Sequence, residues 1–228
     1  MTTIVGLTCS EPKAVILASD ECSTGNFLIN HGGVETREQY RVACKKINIS
    51  KDNIFAAAAS GTYDLAFKEF MYQLTNNDLP LDSILTSGRF NEFLGLNGKR
   101  WEWKDPICEN ENSMLIASRF GNNPILYTCF PLGCVEPRDF TAIGSGSPYA
   151  LKFINEKKPP RPITLKEGIE LVIGSIEAAH RDIYTQGLDM VIVRADRIIP
   201  CGEIITSAVK IARTEFMTEI KSIAYQNL

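Results

Sequence analysis

Two short runs rich in β-branched residues open the chain. Thr3-Ile4-Val5-Gly6-Leu7-Thr8-Cys9 and Ala14-Val15-Ile16-Leu17-Ala18-Ser19 flank Ser10-Glu11-Pro12-Lys13. The proline and charges between them suit a turn, so the pattern predicts an opening hairpin. Residues 21–44 are polar and glycine-bearing and receive no element. Ile47, Ile49, Ile54 and the Ala56 to Ala59 run resume a strand-like pattern that ends at Ser60-Gly61. Leu65, Ala66, Phe67, Phe70, Met71 and Leu74 then fall close to helical spacing, with Asp64 placing negative charge in the first turn, which predicts a helix to about Leu74. Residues 75–112 carry Asn, Gly and Pro breakers, with a short helix predicted around 81–96 and Trp101-Glu102-Trp103 beyond it.

Residues 113–120, 124–130 and 140–143 read as three further strands separated by glycine-bearing turns. The clearest helix is predicted over 165–183, where Leu165, Ile169, Val172, Ile173, Ile176 and Ala179 form one stripe. Thr164 and Glu167 have the spacing of a capping box at its start. Met190-Val191-Ile192-Val193 supplies a strand, and residues 214–228 a second amphipathic helix. No repeat, low-complexity tract or linker divides the chain, so residues 1–228 are read as one domain. Strands and helices come in blocks, which predicts layered sheets and helices of the α+β class rather than a βαβ alternation.

Composition narrows the function classes. With 44% apolar and 22% charged residues the chain can build a large core, and a formal net charge of −3 leaves no basic footprint for nucleic acid. No run approaches the roughly 18 apolar residues of a membrane span, and the start lacks a signal-peptide layout, so a cytoplasmic protein with no membrane partner is expected. Seven scattered cysteines without an export signal predict reduced thiols rather than a disulfide framework. Cys129 and Cys134 are the closest cysteine pair; with only His31 and His180 to help, four zinc ligands are hard to assemble, and no metal is expected.

Specific residues match a known family in order along the chain. Thr2-Thr3-Ile4-Val5-Gly6 resembles the mature start of proteasome β-subunits, and Ala14 to Asp20 the strand that follows. Cys44-Lys45-Lys46-Ile47 resembles the segment with that family's active-site lysine. Ala59-Ser60-Gly61-Thr62-Tyr63-Asp64 resembles its small-residue turn, and Gly144-Ser145-Gly146-Ser147 its glycine-serine turn. Residues 178–187, with Arg181-Asp182 and Thr185-Gln186-Gly187, resemble its Arg-Asp-x-x-Ser-Gly region. The resemblance implies a four-layer αββα sandwich of the N-terminal-nucleophile hydrolase type.

It also implies a chemistry that the residue types support. A threonine hydroxyl needs a base, and a free α-amino group with a reference pKa of roughly 7.7 to 8.0 is suitably poised. That amine belongs to Thr2 only after Met1 is removed, which its small neighbour favours. By resemblance Asp20 and Lys46 are the other central groups, the ammonium favouring a deprotonated hydroxyl and the carboxylate orienting it. Lys45 is adjacent, and the register between the two lysines stays open. Ser145, Asp182 and Thr185 take the places that hydrogen-bond the terminal amine, Thr185 standing where the family usually has serine. Ser60 or Gly61 supplies a backbone N–H to the developing oxyanion, Ser60 standing where glycine is usual.

The reading that follows is a threonine-type endopeptidase acting on peptide or unfolded protein, without a cofactor. Its assembly would be a homo-oligomeric ring, a ring with proteasome α-type subunits, or both. Two alternatives stand beside it: an inactive structural ring subunit, and a divergent stand-alone hydrolase or transpeptidase. An α-type subunit would bring an extra N-terminal extension, which is not expected here. A Ser-His-Asp triad through His31 or His180 lacks any Gly-x-Ser-x-Gly elbow. The stretch from Asp20 to Lys46 is longer than the family norm, as if by an inserted loop, so no cleavage preference is assigned. Trp101-Glu102-Trp103 also departs from the family pattern, which leaves contacts with neighbouring subunits open.

Overall fold

A strand that is apolar on both faces must be covered on both faces, and two strands here have that pattern. In the strand Lys13–Ser19, Val15 and Leu17 alternate with Ala14, Ile16 and Ala18, all of them fully buried. In the strand Asp189–Arg194, Val191 and Val193 alternate with Met190 and Ile192. Such strands belong in a central sheet with a layer on either side.

The computed structural model describes residues 2–31, 34–61, 72, 75–76, 113–119, 123–130, 135–137, 139–157, 159, 161–181 and 187–201, with only the backbone considered for 22–43 and 135–137. In chain order the strands are β1 (Thr3–Ser10), β2 (Lys13–Ser19), β3 (Cys22–His31), β4 (Val34–Ala43), β5 (Ile47–Ile49), β6 (Phe55–Ser60), β7 (Ser113–Ser118), β8 (Ile125–Cys129), β9 (Val135–Pro137), β10 (Phe140–Gly144), β11 (Asp189–Arg194) and β12 (Ile198–Pro200). The helices are α1 (Ser147–Lys157) and α2 (Leu165–Ala179). One five-stranded sheet runs β10-β1-β2-β11-β12 and a second runs β5-β6-β7-β8-β9, while β3 and β4 form a separate pair. All the ladders are antiparallel.

The period-2 alternation sorts the core into two layers. Ile4, Val15, Leu17, Val191 and Val193 of the first sheet pack on Ala56, Ala58, Leu115 and Leu126 of the second. The opposite face, with Val5, Leu7, Ile16 and Met190, packs on Ile154 of α1 and on Ile169, Val172 and Ile176 of α2. The sheets approach closely at Gly6, where an added Cβ would lie 2.7 Å from Leu126 Cδ1. The described residues therefore show three layers, helix, sheet and sheet, of an α+β sandwich. The segments predicted to be helical around 64–74, 81–96 and 214–228, and the Trp101-Glu102-Trp103 stretch, lie outside the described residues apart from Tyr72.

Local signals explain most boundaries. The opening hairpin closes with Ser10 opposite Lys13. The capping box is formed: Glu167 N–H donates to Thr164 Oγ1 at 3.3 Å, and Thr164 N–H donates to Glu167 Oε2 at 2.9 Å. Such caps contribute about 1 kcal/mol. α2 ends at Ala179, short of the predicted 183. There the His180 N–H is shared among the carbonyls of Ile176, Glu177 and Ala178, a tightening typical of a last turn.

Two findings depart from the sequence reading. The predicted loop in 21–44 is a ladder of ten pairs, from Cys22 opposite Ala43 to His31 opposite Val34. Gly32-Gly33 between two strand-length runs is the signal for it. α1 has no predicted counterpart, because it buries only Ala150 and Ile154, too few positions to set a period. Pro148 just inside its start is the remaining cue. Among the described residues no helix is long and apolar enough to cross a membrane, and Cys9, Cys129 and Cys201 are free thiols.

Candidate active site

The register of the first sheet brings the two ends of the site together. Ile4 lies opposite Ser19, so the next residues outward are Thr3 and Asp20. Their backbones continue the pairing, with Asp20 N–H donating to the Thr3 carbonyl at 3.0 Å. The Asp20 side chain folds back and its Oδ1 accepts the Thr3 N–H at 2.6 Å. A fully buried carboxylate is thereby fixed to the first peptide group after Thr2.

A buried carboxylate needs a countercharge, and Lys46 supplies it. The Lys46 ammonium donates to Asp20 Oδ1 at 2.8 Å and to Oδ2 at 2.7 Å, with only 5% of the lysine exposed. The segment that carries it is anchored by Cys44 N–H, which donates to the Glu21 carbonyl at 2.8 Å. The lysine bonded to Asp20 is thus Lys46. Lys45 is exposed, and its charge lowers the carboxyl pKa values of Glu21 and Asp189 instead.

Thr2 is half-buried at the head of β1. Its carbonyl crosses directly over Gly144, which takes φ +91 and lies opposite Thr3. A side chain there would collide with the Thr2 carbonyl, so glycine is required both by φ and by contact. Ser145 follows in an exposed turn, directly after the last registered pair of β1 and β10, Thr3 and Gly144. Ser60 closes β6, buried, its hydroxyl 2.9 Å from that of Ser113, and Gly61 beyond it takes φ +126. Met1, Asp182 and Thr185 lie outside the described residues. His180 is engaged elsewhere, its Nε2 lying 3.2 Å from the Gly187 carbonyl.

Two carboxylates escaped the sequence reading. Asp189 is buried, and burial raises its pKa, against lowering by a hydrogen bond from the Ile47 backbone, by Lys45 and by the Met190 backbone. Burial likewise raises Glu21, with Asp189 and Asp20 adding to the rise and Lys45 opposing it. A charged residue heading the apolar run Met190 to Val193 was the available signal for Asp189. Among the described residues no group of histidine, cysteine and carboxylate side chains could hold a metal.

Chemically, the arrangement concentrates a buried ammonium–carboxylate pair against the peptide that follows Thr2. Two stacked antiparallel sheets, flanked by helices and with that pair at the head of β1, define an α+β sandwich of the N-terminal-nucleophile hydrolase fold class. Comparison with known proteins agrees. Residues 111–193 match the sequence model of the proteasome subunit family. A proteasome subunit beta of Archaeoglobus profundus is 27% identical over 206 residues, 86% of this chain and 85% of that protein. A proteasome subunit beta of Methanocaldococcus jannaschii is 27% identical over 208 residues, 86% of this chain and 83% of that protein. A proteasome subunit alpha of the same organism is 37% identical over 81 residues, which cover 36% of this chain and 31% of that protein. The chain is similar to proteasome β-subunits over most of its length.

Proposed function

We propose that this protein is a threonine-type endopeptidase whose nucleophile is Thr2, exposed by removal of Met1. The observation that carries the reading is the bidentate Lys46–Asp20 pair, buried and tied to Thr3 N–H, one residue from the proposed nucleophile. In the proposed reaction the Thr2 amine takes the hydroxyl proton as Oγ attacks a peptide carbonyl. The Lys46 ammonium lowers the energy of the oxyanionic form of Thr2, and Asp20 keeps the ammonium in place. Backbone N–H at Ser60 or Gly61 receives the charge that develops on the carbonyl oxygen. Departure of the amine product leaves an ester on Thr2, which water then hydrolyses. Ser145, Asp182 and Thr185 hold the terminal amine in this scheme.

The relatives named above are β and α proteasome subunits, and from those names we carry over assembly into rings with copies of itself, with α-type subunits, or both. The test is an intact mass with and without a peptide epoxyketone, a reagent that needs a hydroxyl and a free amine on one terminal residue. A single adduct that disappears in Thr2→Ala supports the reading. Protein beginning at Thr2 that takes up no adduct, alone or assembled, would favour a structural ring subunit instead.

A further inference from the structure

One end of β6 lies level with Lys46. Ile47 stands opposite Ala58, so the residues next outward are Lys46 on one chain segment and Ala59 and Ser60 on the other. Ser60 and Gly61, the proposed oxyanion donors, leave the second sheet at the same end as the buried ammonium. β5 begins at Ile47, so over its last two residues β6 is registered with β7 alone. The final pair of that ladder sets Ser60 opposite Ser113, the first residue of β7. Ala56 and Ala58 pack toward the first sheet, and period 2 puts Ser60 on the same face. There the two hydroxyls lie 2.9 Å apart, with Ser60 only 4% exposed and Ser113 half-buried.

An oxyanion donor is effective only if its N–H already points to where the charge will develop. The end of a ladder is where strands fray, and Gly61, at φ +126, is a residue with little backbone stiffness of its own. A hydrogen bond between the side chains of the last cross-strand pair opposes that fraying. It forms whichever hydroxyl donates, and being made by side chains it leaves the backbone N–H groups of Ser60 and Gly61 for another partner. We propose that Ser113 is a positioning residue for the oxyanion turn: its hydroxyl, bonded to that of Ser60, holds the end of β6 so that the backbone donor at Ser60 or Gly61 keeps its direction. The inference rests on the proposed role of Ser60 and Gly61, and it assigns Ser113 no contact with substrate or nucleophile.

The test uses the full chain. Ser113→Ala and Ser60→Ala each delete the bond and keep the backbone N–H groups, while Ser113→Thr keeps a hydroxyl at the position. In hydrogen exchange, the protected amides among residues 59–60 and 113–114 should exchange about fivefold faster or more in either alanine variant, and within about twofold of wild type in Ser113→Thr. In epoxyketone labelling, each alanine variant should lower the limiting rate about fivefold or more with the half-saturating concentration unchanged, and Ser113→Thr should recover most of that rate. The double variant Ser60→Ala/Ser113→Ala should be no slower than either single one, because both remove the same bond. Thr164→Ala, which removes the α2 cap at a similar cost in stability, controls for destabilisation alone and should label at the wild-type rate. Unmoved amides at the end of the ladder, losses that add in the double variant, or equal slowing in Thr164→Ala would each overturn the proposal. Wild-type protein that is never labelled would count against the endopeptidase reading, and the exchange at residues 59–60 and 113–114 would still decide whether Ser113 holds the turn.

Discussion

Lys45 and Lys46 are neighbours in sequence, yet they meet carboxylates under opposite conditions. Lys46 is buried and bonded through both oxygens of Asp20, whose own partners include a backbone N–H. Lys45 is exposed, and its charge opposes the rise that burial imposes on the carboxyl pKa values of Glu21 and Asp189. Both residues lie in the short connection between β4 and β5, where the Cys44 N–H bond to the Glu21 carbonyl fixes the backbone, and of the two it is Lys46 that is buried against Asp20. An ion pair is thus defined by what surrounds it, and adjacent identical residues need not share a role.

The largest contrast should appear in stability. Asp20→Ala strands the Lys46 ammonium in a buried site, and urea unfolding should show a loss of about 3–5 kcal/mol. Lys45→Ala, at an exposed position, should change stability by about 0.5 kcal/mol or less. A difference of under about 1 kcal/mol between the two variants would erase the distinction. Labelling by epoxyketone should separate the lysines next: Lys46→Ala should slow it by about 10²-fold or more, and Lys45→Ala by about threefold or less.

The pH dependence should be smaller and of definite sign. A carboxyl whose pKa is higher folded than unfolded binds more protons in the folded state, so its contribution is favourable on the acid side and is lost as pH rises through the folded value. Glu21 and Asp189 are both of this kind. The melting temperature measured upward from about pH 4 should therefore fall less steeply in Glu21→Gln and in Asp189→Asn than in wild type. Glu167 has the opposite sign: its pKa is lowered by the backbone and side-chain hydrogen bonds of Thr164, so what it contributes is lost as pH falls. The smallest effect expected is that of salt. Raising ionic strength to about 1 M should shrink the stability change caused by Lys45→Ala and leave that of Lys46→Ala unaltered, since screening reaches exposed charges first.

How much of this was legible in the sequence follows from how local each signal is. β1, β2, β6 to β8 and β11 announce themselves by short apolar runs between turn residues, and α2 by a full stripe with a capping box. The β3–β4 pair is hard to read in the sequence because its residues are mostly polar and carry no sustained apolar alternation. Thr2, Asp20 and Lys46 could be named only through resemblance, since nothing in their spacing reveals that Lys46 reaches Asp20 while Lys45 points elsewhere. That distinction depends on the register of β1 with β2 and on the anchoring of Cys44, both of which are tertiary. Asp189 is hidden for the same reason: an acidic residue heading an apolar strand signals something buried, but its place opposite Ser19 at the end of β2 is tertiary.

Gly144 carries a consequence for the history of such a chain. Every amino-acid replacement reachable from a glycine codon by one base change brings a Cβ with it, and here that atom would strike the carbonyl of Thr2. No mutational step away from glycine leaves the head of β1 undisturbed, so any such step must be met by a shift of the Thr2 carbonyl. The start of the chain is held in register by a vacancy that drift has no means of filling.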